Sequence, residues 1–475
     1  MQNCYGFMVK CLGVCGRDGG RAWSHRSRRG VWLARRSLDH VRSTGVDRDA
    51  DAKSPMNVLI LNHYAGSPLM GMEYRAYALS RELNARGHHC AIVAGAYSHL
   101  RQQNPDQVPF RIRHVCVEEV DWYWIPTGRY NGNGVRRVAS MLDFTTRTWL
   151  YAQRLANEQK PDVVIASSTY PLDIYAAARI ARIAGASLVF ELHDMWPLTP
   201  RLLGGMSGRH PFIRIMQHAE DYYCRHADLV ISVLPNAIEH LATRGLTPDR
   251  YAVVPNGVDV TAGQESQAPP ESYLNVLREA HAVGRFVVLY AGSVGLSNRL
   301  DALLHAVNLV HDIPVQLVII GQGPETETLK RLTSSLGLTN VSFLSPIPRC
   351  QLHGLLALAD IAYAGVGASP LYHYGISLNK LYEYMMAGVC VLFAGAADVF
   401  NDLVSEAGAG LSVPHASPED IADGIRRLHA LTREELAELG RHGTAYCQSH
   451  FAYGVLVQRY EAALMWSCQH RRVQR

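Results

Sequence analysis

From Met56 onward, short runs of Val, Ile and Leu alternate with stretches of helical periodicity, and few patterns restrict a fold more tightly. Runs that are apolar on both faces must be covered on both faces, which a parallel sheet flanked by helices achieves. A first round of strands is predicted near Asn57 to Leu61, His89 to Ala94, Asp162 to Ala166, Ser187 to Glu191, Asp228 to Val233 and Tyr251 to Val254. The long insert Tyr97 to Asn131, with Asp121-Trp122-Tyr123-Trp124, is expected to lie outside regular sheet. Hydrophobic residues vanish over Val260 to Pro270, which reads as a linker. A second round follows near Phe286 to Tyr290, Val315 to Ile320, Val341 to Leu344, Asp360 to Tyr363, Val389 to Phe393 and Gly410 to Val413. The chain is therefore read as α/β, with two separately wound parallel-sheet domains, 56–260 and 271–450, facing a cleft. Ligands belong at the carboxyl ends of the strands. Helices are predicted over Arg433 to His450 and Gly454 to Cys468, so that 451–475 forms a terminal helix able to pack back on the first domain.

With 475 residues, 48% of them hydrophobic, there is apolar material for two cores. The formal charge of +4 is uneven: Met1 to Pro55 holds 11 Lys or Arg against 5 Asp, which leaves −2 for the remainder. A basic body that coats nucleic acid is thereby disfavoured, and no nucleic-acid partner is expected. Residues 1–55 read as a disordered extension or start-site artefact without a catalytic role. An Arg-rich targeting peptide is the alternative, against which Asp39, Asp47, Asp49 and Asp51 argue. Ten scattered cysteines lack C-x-x-C pairs, which suits a reducing cytosol and no zinc. No run is long and apolar enough to span a bilayer, so a soluble or peripheral protein is expected.

Chemistry is expected in four loops. After the first strand come Asn62-His63-Tyr64-Ala65-Gly66-Ser67-Pro68 and Gly71-Met72-Glu73-Tyr74-Arg75, where Gly66, Ser67, Gly71, Glu73 and Arg75 are candidates to meet substrate. After the fourth come Glu191-Leu192-His193-Asp194-Met195-Trp196-Pro197. Asp194 there either orients His193 or caps the next turn. In the second half, Gly321-Gln322-Gly323-Pro324 ends a strand and opens a helix, so Gly321 and Gly323 either admit a ligand or make a tight turn. Finally, Gly375-Ile376-Ser377-Leu378-Asn379-Lys380-Leu381-Tyr382-Glu383 runs from a loop into a helix. Ser377, Asn379 and backbone N–H groups at that helix start suit a diphosphate, and Lys380 adds charge. Glu383 can accept hydrogen bonds from a ribose diol, or else form an i, i+3 ion pair with Lys380.

These stretches, with Val253 to Asp259 and Ile319 to Pro324, resemble glycosyltransferase family 4 in order and spacing from about Met56 onward. Asn62 to Arg75 together with Gly375 to Tyr384 is similar to bacterial polysaccharide enzymes of the L-fucosamine transferase type. The resemblance implies a GT-B fold of two Rossmann-like domains and sugar transfer with retention, without a metal or other cofactor. It places Glu383 on the donor ribose and His193 beside the reacting centre. It also exposes departures: the family's first acidic residue falls at Gly375, and its Arg and Lys pair at Ser293 and Asn298. Arg299 and Lys380 are then the candidate replacement cations. The implied activity moves an N-acetylated 6-deoxyhexose or a hexosamine from a UDP-sugar to a lipid-linked glycan acceptor, with peripheral contact at the cytoplasmic membrane face. A UDP-sugar 2-epimerase of the same fold, and a non-catalytic nucleotide-sugar-binding protein, are the alternatives.

Overall fold

The computed structural model describes residues 54–71, 74–106, 111–130, 132, 134–260 and 267–471; the N-terminal extension, Glu73 and most of the linker lie outside the described residues. Two sheets form, one for each round of the sequence pattern. The first contains β1 (Asn57–Leu61), β2 (His89–Gly95), β3 (Arg113–Val117), β4 (Val120–Ile125), β5 (Val163–Ala166), β6 (Ser187–Leu192), β7 (Leu229–Ser232) and β8 (Tyr251–Val253). The second contains β9 (Phe286–Ala291), β10 (Val315–Ile320), β11 (Val341–Leu344), β12 (Ile361–Gly365), β13 (Cys390–Ala394) and β14 (Gly410–Val413).

Strand order in the first sheet is β3-β4-β2-β1-β5-β6-β7-β8 and in the second β11-β10-β9-β12-β13-β14. Each reverses direction beside its first strand, between β1 and β5 and between β9 and β12, and at such a switch point diverging loops leave a crevice. Pairing is parallel throughout except for β3 against β4. That pair corrects the expectation for the insert, whose Trp122 and Trp124 stack with centroids 4.8 Å apart on a buried strand. β10 is buried at every position, as its apolar run Leu317–Ile320 requires, and its one polar residue, Gln316, is hydrogen-bonded to Arg285 and Ser342.

The domains touch at the carboxyl ends of both sheets. Leu371, from the segment Pro370–Tyr374 of the second domain, joins the hydrophobic core of the first. The Asn236 N–H donates to the Tyr374 carbonyl at 3.0 Å, and the Asn256 N–H donates to Ser377 Oγ at 3.0 Å. The last helix, Tyr453–Gln469, lies against the first domain through Leu456, Val457, Tyr460 and Leu464. Its buried Glu461 accepts from Arg86 at 2.7 Å and meets His88 at 3.1 Å.

Candidate active site

The loop after β1 is built largely to hold itself. The Ser67 carbonyl accepts from the N–H groups of Met70 and Gly71, while its buried hydroxyl has no hydrogen-bond partner. Gly66 is buried as well. Gly71 has φ of +89°, and a Cβ there would come within 2.9 Å of the Gln102 side chain, so only glycine fits without strain. His63 is buried in a ring stack, 4.4 Å from Tyr64 and 4.7 Å from Phe144 between centroids. Burial, with Arg101 and Arg137 nearby, lowers its pKa well below the usual value and keeps it neutral. Arg75 turns inward. Its guanidinium pairs with Glu191 at 3.0 Å and donates to the carbonyls of Val254, at 2.9 Å, and Pro255, at 2.5 Å. It therefore pins β6 to the exit from β8 and is not displayed to a substrate.

His193 stands where β6 ends and remains 8% exposed. Its Nε2 lies 3.0 Å from Ser167 Oγ and 3.3 Å from Glu191 Oε2, and the Ser167 hydroxyl donates to that same carboxylate oxygen at 2.6 Å. Because the carboxylate only accepts and the hydroxyl proton is already committed, the network assigns the imidazole proton to Nε2. In the neutral imidazole Nδ1 is then the acceptor. Burial would raise the Glu191 carboxyl, but the Arg75 guanidinium, with hydrogen bonds from His193 and Ser167, overcomes it and holds the group below the usual carboxylate range. Ser167 and Glu191 are thus the residues that orient His193. Asp194 instead accepts from the Met195 N–H at 2.8 Å, Thr199 Oγ1 at 2.6 Å and Trp196 Nε1 at 3.3 Å, the contacts of a cap on the next turn.

Across the cleft, Gly321 and Gly323 serve loop packing. A Cβ at Gly321 would fall 1.9 Å from the Gly292 carbonyl oxygen, and one at Gly323 2.1 Å from that of Val294. They let the loop after β10 hydrogen-bond to the loop after β9, with Val294 N–H donating to the Gln322 carbonyl at 3.0 Å. Gly375 has φ of +103°, and a Cβ there would sit 2.4 Å from Pro235 of the first domain. A carboxylate at this position is excluded by backbone and neighbour together. The Ser377 hydroxyl is engaged by the Asn256 N–H and by Tyr382 at 3.1 Å, leaving exposed Asn379 at the helix start.

Lys380 does not pair with Glu383. Its ammonium hydrogen-bonds Asn298 Oδ1 and, at 3.2 Å, Tyr290 OH, and it lies 4.8 Å above the Tyr290 ring. The site is crowded by protein although the side chain is only half-buried, and this desolvation pulls the pKa down to about 7, with Glu383 opposing the fall. Among the described residues no carboxylate forms an ion pair with Lys380. Glu383 pairs with Arg349, Nε to Oε1 being 3.2 Å. Arg299, held at φ of +51°, pairs with Asp301 at 3.2 Å. The partners Ser167, Asn298 and Arg349 carry no local sequence signal, since strand order alone brings them to these loops. Among the described residues there is no group of three or more His, Cys, Asp or Glu able to hold a metal ion.

Comparison with known proteins agrees with this geometry. Residues 70–257 match the glycosyl transferase 4-like domain and residues 277–444 match glycosyl transferases group 1, together most of the chain. WcaI of Escherichia coli strain K12, a glycosyl transferase named for colanic acid biosynthesis, is 22% identical over 44% of this chain. That match spans about half, 51%, of WcaI. WbjE of Pseudomonas aeruginosa, named a glycosyltransferase, is 20% identical over 67% of this chain and 78% of its own. Among solved structures, sucrose-phosphate synthase of Thermosynechococcus elongatus superposes with a TM-score of 0.66 at 14% identity, covering 86% of this chain and 98% of its own. HepE of Anabaena, solved with UDP and glucose, gives 0.60 at 17% identity, over 86% and 99%. WaaG, a glycosyltransferase involved in lipopolysaccharide biosynthesis, gives 0.56 at 16% identity, also over 86% and 99%. With two such domains in this order on two switch-point sheets, the chain belongs to the GT-B glycosyltransferases.

Proposed function

We propose that the chain transfers a sugar from a UDP-sugar to a lipid-linked glycan acceptor, with retention of configuration, in the building of a surface polysaccharide such as a lipopolysaccharide, O-antigen or capsule. The observation that carries this reading is Lys380. A crowded ammonium without a carboxylate partner costs free energy that a bound anion returns. It stands beside the start of the helix Asn379–Met386, close to the β9/β12 switch point, where a diphosphate is favoured twice over. Arg299, whose charge Asp301 offsets, is the weaker candidate for this task. Glu383 then accepts from the donor ribose, and UDP in the HepE structures favours that nucleotide.

In the reaction, Lys380 neutralises charge gathering on the departing diphosphate. His193 Nδ1 accepts a hydrogen bond from a sugar hydroxyl and orients the sugar. No cofactor is invoked. The donor sugar, an N-acetylated 6-deoxyhexose or a hexosamine, rests on the stretches Asn62 to Arg75 and Gly375 to Tyr384.

Peripheral contact with the cytoplasmic membrane face is supported by the helix Val135–Leu150. Val135, Leu142 and Trp149, seven residues apart and hence on one face, are 85%, 47% and 42% exposed. Exposed Arg136 stands beside Val135, and Arg179 packs over the Trp149 ring at 3.5 Å. This mixture suits an anionic headgroup layer. No helix among the described residues is long and apolar enough to cross a membrane.

The test is a screen of mass-tagged UDP-sugars with and without a membrane lipid extract. Label passing into lipid supports the proposal. Interconversion of the sugar without lipid would show an epimerase, and tight UDP binding without turnover on any donor would show a binding protein.

A further inference from the structure

Arg349 opens the helix Arg349–Leu356 after β11 and lies between the two domains. On one side is the Glu383 carboxylate, 3.2 Å from its Nε; on the other the guanidinium carbon is 5.9 Å from the Tyr74 ring, at the end of the first domain's glycine loop. Arg349 and Glu383 are 25% and 20% exposed, so both line the cleft. The Nε contact is an ion pair without hydrogen-bond geometry, and Nε has no other partner.

A glutamate on a helix has three rotatable bonds, and one that receives a ribose diol must keep its carboxylate plane fixed. A guanidinium 3.2 Å away draws the carboxylate to one side of the cleft by charge. The Tyr74 ring, at cation–π range from the guanidinium, restrains it from the other side.

We propose that Arg349 is the positioning residue of the ribose contact: it orients Glu383 toward the diol, and Tyr74 of the facing domain braces it. This rests on the reading of Glu383 as the ribose acceptor.

The experiment measures by calorimetry the affinities of UDP and of 2′,3′-dideoxy-UDP, which lacks both hydroxyls, for the wild-type protein and for E383Q, R349Q, R349K and Y74L. The wild type is expected to prefer UDP roughly tenfold or more, as charge-assisted hydrogen bonds allow. E383Q removes the preference. R349Q lowers it to about threefold or less while the dideoxy affinity stays within about twofold; R349K restores part of it, and Y74L gives an intermediate ratio. A wild-type ratio in R349Q, or equal weakening of both nucleotides, overturns the positioning role. An unchanged ratio in Y74L overturns the brace. A wild-type protein or E383Q variant whose ratio shows no dependence on the diol carboxylate overturns the ribose reading itself, and the proposal with it.

Discussion

Replacing Lys380 by Met tests whether one lysine serves the diphosphate. In the free protein the ammonium's pKa falls from 10.5 to about 7. That difference corresponds to roughly 5 kcal/mol disfavouring the charged form. A diphosphate beside it favours the charged form and lifts the pKa again. Donor binding above pH 8 must therefore take up close to one proton, and UDP affinity should fall roughly 50-fold between pH 7 and 9 if the bound pKa lies above 9. Without donor, the unfolded chain holds a proton that the native site releases between about pH 7 and 10.5. This group's effect on stability therefore improves as pH rises through that window and is least favourable below it. Calorimetry in two buffers of different ionisation enthalpy counts the protons. Lys380→Met should show no uptake, an affinity nearly flat over pH 7 to 9, and kcat lower by about 100-fold or more. If the wild type takes up no proton at pH 8, or the variant keeps kcat within about threefold, Lys380 is not the cation that serves the diphosphate.

His193→Ala should lower kcat by about two orders of magnitude with UDP affinity unchanged; loss of both, with a lower melting temperature, would make the residue structural. Gly375→Ala should cost about 1 to 3 kcal/mol in urea unfolding, because the backbone sits at φ of +103° with Pro235 2.4 Å from the new Cβ. A variant as stable as the wild type would contradict that geometry. Arg75→Met strands the buried Glu191 charge and should destabilise by about 3 to 5 kcal/mol. Glu191's contribution is present above the usual carboxylate pKa and lost as pH falls through its depressed folded value. The variant should therefore lose stability at a higher pH, and an unmoved acid limb would refute the pairing.

The parts legible in the sequence are those whose signal is local. β1 and β10 are mostly apolar, Val58–Leu61 and Leu317–Ile320 being continuous runs, and burial on both faces leaves such runs one common solution. β3 and β4 were hidden for a physical reason. Their turn uses Glu118 and Glu119 at φ of 50° and 63°, where Asn or Gly would have marked a hairpin. β4 is also aromatic rather than aliphatic, and β3 is a half-exposed edge. At the site, the sequence marks His193, Lys380 and Glu383 because each sits in a loop or helix start after a strand. It cannot mark what each touches. Ser167 is 26 residues from His193, Asn298 82 from Lys380 and Arg349 34 from Glu383, and strand order alone closes those gaps.

The departures from the family pattern form one arrangement. Asn298 stands where the resemblance expects a cation, and its neutral oxygen accepts from the Lys380 ammonium. A cation at 298 would place two positive charges a few ångströms apart. At an effective dielectric near 20 that repulsion is about 4 kcal/mol, enough to drive Lys380 out. Neutrality at 298 is therefore a condition for the position of Lys380. At Gly375 the missing carboxylate leaves no anion on that turn to compete for the ammonium, and Pro235 occupies the space a side chain would need. Restoring either of these two family residues alone should thus harm the site: a lysine at 298 expels Lys380, and a glutamate at 375 forces the domains apart. Only a chain that regained both cations and withdrew Pro235 could return to the common arrangement.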